Sequence, residues 1–553
     1  MGKKAREGVF VYSVVLVMLL FAAQAQAGGV RLSPLNPEFA GASALSGGAS
    51  SGVAQIRTPR GDALPAGRRP SPLNLEHLKH LKHPEAAASA RTKKDFPSKY
   101  DLRTLHRLSP VRDQDPYGSC WTFGAMAAVE SSLLPGEIRD FSEWHLGYWA
   151  YVTNPEGFPA FTQWSDPENP FPNERARIYD QGGDDWKAVA VLARGTGPVD
   201  EDDLPYDGPL PSTKPNLARR KLLTGALYLP YSADEIEEQG YPHLIADEVK
   251  SSIMAYGALS IGMMADFNEG AWNSTTNAFY YSGRRGANHA VNVVGWDDGF
   301  PKENFATTPP GDGAWIVRNS WGERFGEGGY FYVSYYDTSL DSGIAYILSS
   351  PDLYGIIHQH DPLGWVRSVS AFETDPETGW MANVFTAGED QTLRAVSFYA
   401  AAFGAKYELF IDAVSGGVSS ASEALLAVGV AGTLEKPGYH TVTLPRSVGV
   451  GKGTRFRVRV KLTTPGYDYP LPVELPLEEY SDNATASPGE SFYSGDGASW
   501  RDLTDDIPGA NFCIKVFATA GMTAGGGSGG CSVAAASPLL FALLAPLLLL
   551  RKK

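Results

Sequence analysis

Apolar positions recur along this chain with two different periods, and the period changes from front to back. Trp121, Ala125, Val129 and Leu133 fall at four-residue steps, which predicts one buried face of a helix. Residues 454–462 alternate instead: Phe456, Val458, Val460 and Leu462 stand against Arg455, Arg457, Arg459 and Lys461, the period of a half-buried strand. Runs at 407–413 and 512–517 read as further strands, and Gly495-Asp496-Gly497 ahead of Trp500 reads as a hairpin turn. Residues 95–350 mix the two signals, with the long helix early and the strands late, the order of an α+β unit. Residues 351–520 are strand-like with turns between, so an all-β sandwich is expected there.

Both ends read as addresses. Lys3, Lys4 and Arg6, an apolar run over 9–21 and Ala25-Gln26-Ala27 form a secretory signal over 1–27. At the other end, residues 521–553 hold a Gly/Ser linker, Cys531, an apolar run over 533–550 and Arg551-Lys552-Lys553. A run of about 18 apolar residues just spans a bilayer core, although Pro538 and Pro546 weaken it as a helix. This layout resembles the bacterial sorting signals of the Synerg-CTERM and GlyGly-CTERM type. The resemblance implies processing near Gly530-Cys531, a membrane contact through the tail and retention at the cell surface.

Residues 28–94 are rich in Ala, Gly, Pro and Ser and read as a pro-region or flexible segment. Ser33-Pro34-Leu35-Asn36 recurs as Ser71-Pro72-Leu73-Asn74, each followed two residues on by Glu38 or Glu76. His77, His80 and His83 would share a helix face, but without a carboxylate partner they read as solvated, so no metal site is expected.

Composition narrows the chemistry. Lys+Arg 47 against Asp+Glu 62 leaves a net charge of −15, which argues against a nucleic-acid partner. Three cysteines, Cys120, Cys513 and Cys531, exclude a disulfide scaffold and a multi-cysteine cluster.

Cys120 follows Gly118-Ser119 and opens the predicted helix, where Ser119 is placed to cap it. The helix dipole at that point favours a thiolate, the nucleophilic form. A thiolate needs an acid/base partner, and His289, opening the apolar run 289–295, is the best placed of the ten histidines. Asn319, where the strand-like run 315–319 turns, can orient that imidazole, with Trp321 shielding the bond. Gln114 can place an amide N–H beside the Cys120 N–H as an oxyanion hole.

These blocks resemble papain-family cysteine peptidases over residues 95–345. Phe96-Pro97 to Arg103, Val111-Arg112-Asp113-Gln114, Phe141-Ser142-Glu143, Asn288-His289-Ala290-Val291 and Asn319-Ser320-Trp321-Gly322 stand in the family's order. The resemblance implies a two-lobed α+β papain-like fold and peptide-bond hydrolysis without a cofactor. It makes Cys120 the nucleophile, His289 the acid/base, Asn319 its orienting group and Gln114 the oxyanion donor. It further implies that Gly182-Gly183 binds substrate main chain, that Ala287 and Ala290 line the pocket for the substrate's second residue, and that Trp321 covers the His289–Asn319 bond. Tyr117 stands where most relatives have a disulfide cysteine, and Phe325 where a Trp is usual. The segment before residue 95 lacks the usual long inhibitory helix pattern.

Residues 351–520 resemble the lectin-like domain that follows the peptidase in some bacterial and archaeal homologues. Tyr467, Tyr469, Trp500 and the Arg455/Arg457/Arg459/Lys461 stripe offer a glycan surface, although such a stripe is more often a solvated strand face. The expected protein is an exported, surface-retained cysteine peptidase acting on polypeptides. Two other uses of the same residues stay open: a non-enzymatic adhesin on a peptidase-like scaffold, and a transpeptidase in which an amine captures the thioester.

Overall fold

The computed structural model describes residues 29–46, 55–57, 63–65, 67–79, 96–154, 156–162, 178–208, 217–229, 246–267, 270–371, 375–414 and 425–521. The signal segment 1–27, His80, His83 and the tail from Cys531 onward lie outside them. Among the described residues no helix is long and apolar enough to cross a membrane, and no cluster of His, Cys, Asp or Glu is arranged to hold a metal ion.

Residues 96–350 form two lobes. The first is helical: Cys120–Leu133, Glu143–Tyr151 and Asp185–Ala193 pack around a core that includes Trp121, Trp144, Trp149 and Val189. The predicted long helix is there, and nearly all of it is buried because both of its sides are covered, one by helices and one by strands. The second lobe is a sheet in which His289–Asp297 pairs with Leu259–Met263 on one side and Ala314–Arg318 on the other. Its core centres on Val291, Val293, Trp296, Ile316 and Phe331. Gly124 lets helix and sheet approach closely, since a Cβ there would lie 2.9 Å from the Ser260 hydroxyl.

Residues 351–520 are all β, as the alternation predicted. A six-stranded sheet runs in the order 425–434, 405–413, 455–463, 378–386, 491–494, 501–502. Its apolar face, with Phe456, Val458, Val460 and Leu462, packs against Val396, Phe398, Ile514 and Val516 of a second sheet. That second sheet does not stop at the domain boundary. Gly438–Val450 pairs with Leu222–Leu229 of the preceding two-lobed part, so one thirteen-stranded sheet runs through both.

Two expectations are corrected here. The middle of the Arg stripe, Arg457 and Arg459, is neither a solvated face nor open to an anionic glycan, while Arg455 stays exposed. Arg457 and Arg459 both reach Asp412, Arg459 lies over Phe410, Arg457 over Trp500, and Lys461 pairs with Glu408. Adjacent strands supply those acids, a register that strand periodicity alone does not reveal. Tyr467 is buried rather than exposed, because His77 stacks on it at 3.7 Å. Around it, the described residues 29–46 and 67–79 of the N-terminal segment are docked.

The docking explains the repeated tetrapeptide. Asn36 Nδ2 donates to the Ser71 carbonyl at 2.9 Å, and Asn74 Nδ2 donates to the Leu35 carbonyl at 3.2 Å. Each Asn also accepts from the N–H of the following Glu, starting the helix Pro37–Ser46 and the 3-10 turn Glu76–Lys79. The two copies therefore clasp each other. Arg31–Leu32 adds a strand to Arg367–Ser370, and Leu73, Leu75 and Leu78 are buried.

Candidate active site

Cys120 begins its helix at the junction of the two lobes. Ser119 does not cap that helix, contrary to expectation. Its hydroxyl is engaged by the Tyr206 hydroxyl at 2.7 Å, which in turn bonds the Gln114 carbonyl. The Cys120 loop is held by Asp180, which accepts from the Gly118 N–H at 2.7 Å. Tyr117 packs against Trp144, Tyr179 and Tyr206, so an aromatic cluster occupies the place of the usual disulfide. Cys120 and Cys513 are both free thiols.

From the second lobe, His289 starts its strand and Asn319 ends the neighbouring one. His289 Nε2 lies 2.8 Å from Asn319 Oδ1, and the same oxygen accepts from the Ser320 N–H at 2.8 Å. An atom that accepts from a backbone N–H is a carbonyl oxygen, so the imidazole must donate from Nε2. Its Nδ1 is then the lone-pair nitrogen, buried and without a hydrogen-bond partner among the described residues. The Trp321 ring lies 4.8 Å from the imidazole. Phe325 packs edge-on against Trp321, so the smaller ring still closes that wall.

The backbone knits these parts together. Gln114 N–H donates to the Ser320 carbonyl at 2.8 Å, and Asp113 bridges to Trp321. The Gln114 side chain is buried. Its Oε1 accepts from the Ser320 hydroxyl and its Nε2 donates to the Tyr117 carbonyl at 2.8 Å, leaving that nitrogen a second N–H. Ala290 N–H donates to Cys120 Sγ at 3.3 Å, which ties the His289 strand to the sulfur. Ala287 is half-buried on the loop leading into that strand.

Sequence reasoning missed what lies across the site. Gly67 sits against the sulfur: a Cβ on it would fall 2.8 Å from Cys120 Sγ and 2.4 Å from the Gly118 carbonyl oxygen. Only glycine fits so close a backbone approach. On either side of Arg68 the strap pairs with the Gly182-Gly183 edge. Gly183 N–H donates to the Gly67 carbonyl and Arg69 N–H donates to the Gly183 carbonyl, both at 2.8 Å, in a parallel bridge. A Cβ on Gly183 would lie 2.5 Å from the Trp121 ring, so that edge also requires glycine. Arg68 turns into a pocket, where Nη1 meets Asp185 at 2.8 Å and Nη2 meets Asp341 at 2.6 Å. No helical signal marks this strap, because it is a short extended piece whose partners are all distant in sequence.

Burial reverses the expected electrostatics. Burial pushes the Cys120 thiol up to about 11, and the Ala290 N–H, the Arg68 charge and the Gly67 and Trp121 N–H groups recover only part. Burial pulls His289 down to about 4, with the Asn319 bond opposing. With the strap in place the pair is thiol and neutral imidazole, not the thiolate that the helix start favours.

Comparison with known proteins follows the same division. Residues 96–146 and 180–350 match the model of the papain family cysteine protease, and residues 357–518 match that of the lectin like domain. The crystal structure of the cysteine protease and lectin-like domains of Cwp84, a surface layer associated protein of Clostridium difficile, superposes with a TM-score of 0.68 at 22% identity. It covers 90% of this chain and 99% of that one. A structure of clostridial Cwp84 after propeptide cleavage gives 0.63 at 26% identity over 77% of this chain and 100% of that one. Cysteine proteinase 1 of Zea mays is 26% identical over 241 residues, 43% of this chain and 56% of that protein. The chain thus spans little more than half the length of such curated relatives.

Proposed function

The chain joins a papain-family cysteine protease domain to a lectin-like domain, and from that premise we infer that it is a cysteine peptidase held latent by its own residues 67–70. One observation carries the reading. An extended backbone lies across Cys120 and pairs with Gly183, so this cleft takes extended polypeptide.

The geometry supports assigning each step to a side chain. With the strap displaced, water reaches the site, the desolvation that raises the thiol is relieved, and His289 Nδ1 takes the Cys120 proton. Cys120 Sγ attacks the scissile carbonyl carbon. The oxyanion that forms receives the remaining Gln114 Nε2–H and the Cys120 N–H. The imidazolium, held by Asn319, gives its proton to the amine as the C–N bond breaks. Water, deprotonated by the neutral imidazole, then attacks the thioester and releases the acid and the thiol. Trp321 keeps water off the His289–Asn319 bond, while Ala287 and Ala290 flank the substrate's second residue.

We place the protein outside the cytoplasm and at the cell surface. The signal-like and sorting-like ends support this, as does the likeness to surface layer associated Cwp84. The lectin-like match supports a surface glycan as a second partner. The test is hydrolysis of casein and labelling by an epoxysuccinyl electrophile. Both are expected in the wild-type chain once the strap is cut, and neither in Cys120→Ala. Full hydrolysis by Cys120→Ala overturns the assignment.

A further inference from the structure

We propose that the pocket filled by Arg68 is a specificity subsite that selects arginine on the substrate residue opposite Gly183. This rests on the peptidase reading above and names its substrate class. Arg68 is the strap residue flanked by both hydrogen bonds to Gly183, so its side chain leaves the backbone where a substrate residue paired with Gly183 would place its own. The pocket is built for a guanidinium. Asp185, on the helical lobe, and Asp341, on the other, each take a different terminal nitrogen of the same fork. The Ser260 hydroxyl donates to the other Asp185 oxygen at 2.5 Å, which fixes that carboxylate's orientation. Trp186 and Tyr228 form the wall, stacked at 5.6 Å. Space is set by Gly262, where a Cβ would lie 2.1 Å from Arg68 Nε.

These features favour arginine over its competitors. When the strap leaves, two carboxylates from opposite lobes face one cavity without their shared cation, so an apolar side chain would bury them uncompensated. A lysine ammonium is a single point and cannot meet both carboxylates in the fork geometry. The acids come from both lobes, so an arginine in the pocket also ties the lobes together beside the reacting sulfur.

The test uses the full chain with its strap cut and two peptidyl vinyl sulfones that differ only in arginine or leucine at the position second from the electrophile. The rate of Cys120 adduct formation is followed by intact mass. Strap displacement is common to both probes, so the ratio of rates reports the pocket. The arginine probe is expected to react roughly tenfold faster or more. Asp341→Asn, at a side chain that is 35% exposed, is expected to bring the ratio near one. Gly262→Ala is expected to slow the arginine probe more than the leucine probe, because it closes space at the Nε position, which leucine does not reach, without touching charge. Labelling of Cys120 at equal rates, or faster with leucine, overturns this inference and leaves the peptidase reading intact. Labelling by neither probe overturns the peptidase reading and this inference with it.

Discussion

Gly67 lies so close to Cys120 that the strap carrying it leaves no room for a single methyl group against the sulfur. Gly67→Ala must therefore shift either the strap or the Cys120 loop, at a cost of about 1–3 kcal/mol for overpacking. The loop is held by Asp180 and an aromatic cluster, so the strap yields. Labelling of Cys120 in the uncut chain should accelerate roughly 5- to 100-fold over wild type. An unchanged labelling rate would show that the strap does not control access.

The strap's far end carries a pH dependence. Burial against Tyr467 pulls His77 down to about 4, only partly opposed by its bond to the Ala401 carbonyl. A proton therefore binds the undocked segment more tightly than the docked one. Docking is at full strength above about pH 6.5 and weakens as pH falls toward 4. Cleavage of the strap by an added protease should be faster at pH 5 than at pH 7.5. His77→Phe, which keeps the stack but cannot protonate, should flatten much of that difference, and a pH profile identical to wild type would refute the assignment.

Asn319→Ala removes the acceptor that sets the His289 tautomer. A hydrogen bond to a group that becomes charged contributes about 1.5–3 kcal/mol, so kcat should fall roughly 10- to 150-fold with KM little changed. Peptide hydrolysis by strap-cut protein checks this. Asn319→Asp should recover part of the loss, because a carboxylate also accepts from Nε2.

Gly183→Ala forces a methyl into the Trp121 ring and displaces the edge that pairs with extended chain. Stability should drop by about 1–3 kcal/mol. KM for peptide substrates should rise more than kcat falls, because the damage is to main-chain pairing. Urea unfolding and steady-state kinetics measured together separate the two effects.

In the lectin-like domain, Asp412→Ala leaves Arg457 and Arg459 without their shared carboxylate. Arg457 is buried, and losing a charged hydrogen-bond acceptor there costs about 1.5–3 kcal/mol. A marked fall in the unfolding midpoint is expected, with peptide hydrolysis below that midpoint unaffected. Retained stability would show that the stripe is a solvated face after all.

Much was legible in the sequence because it is written locally. The step of four in 121–133 and the alternation in 454–462 follow from helix and strand geometry, and both elements formed where the pattern placed them. Family motifs likewise named Cys120, His289, Asn319 and Gln114, and the structure brings His289 onto Asn319 and the His289 strand onto Cys120. What tertiary structure alone decided is the state of that chemistry. The low-complexity composition of residues 28–94 gave no hint that Gly67 would cover the sulfur or that Arg68 would join Asp185 to Asp341. Those partners lie more than a hundred residues apart, and their pairing depends on two lobes closing on one extended segment. Burial depends on all the neighbours at once. A helix start that favours thiolate in sequence therefore holds a thiol in the folded chain.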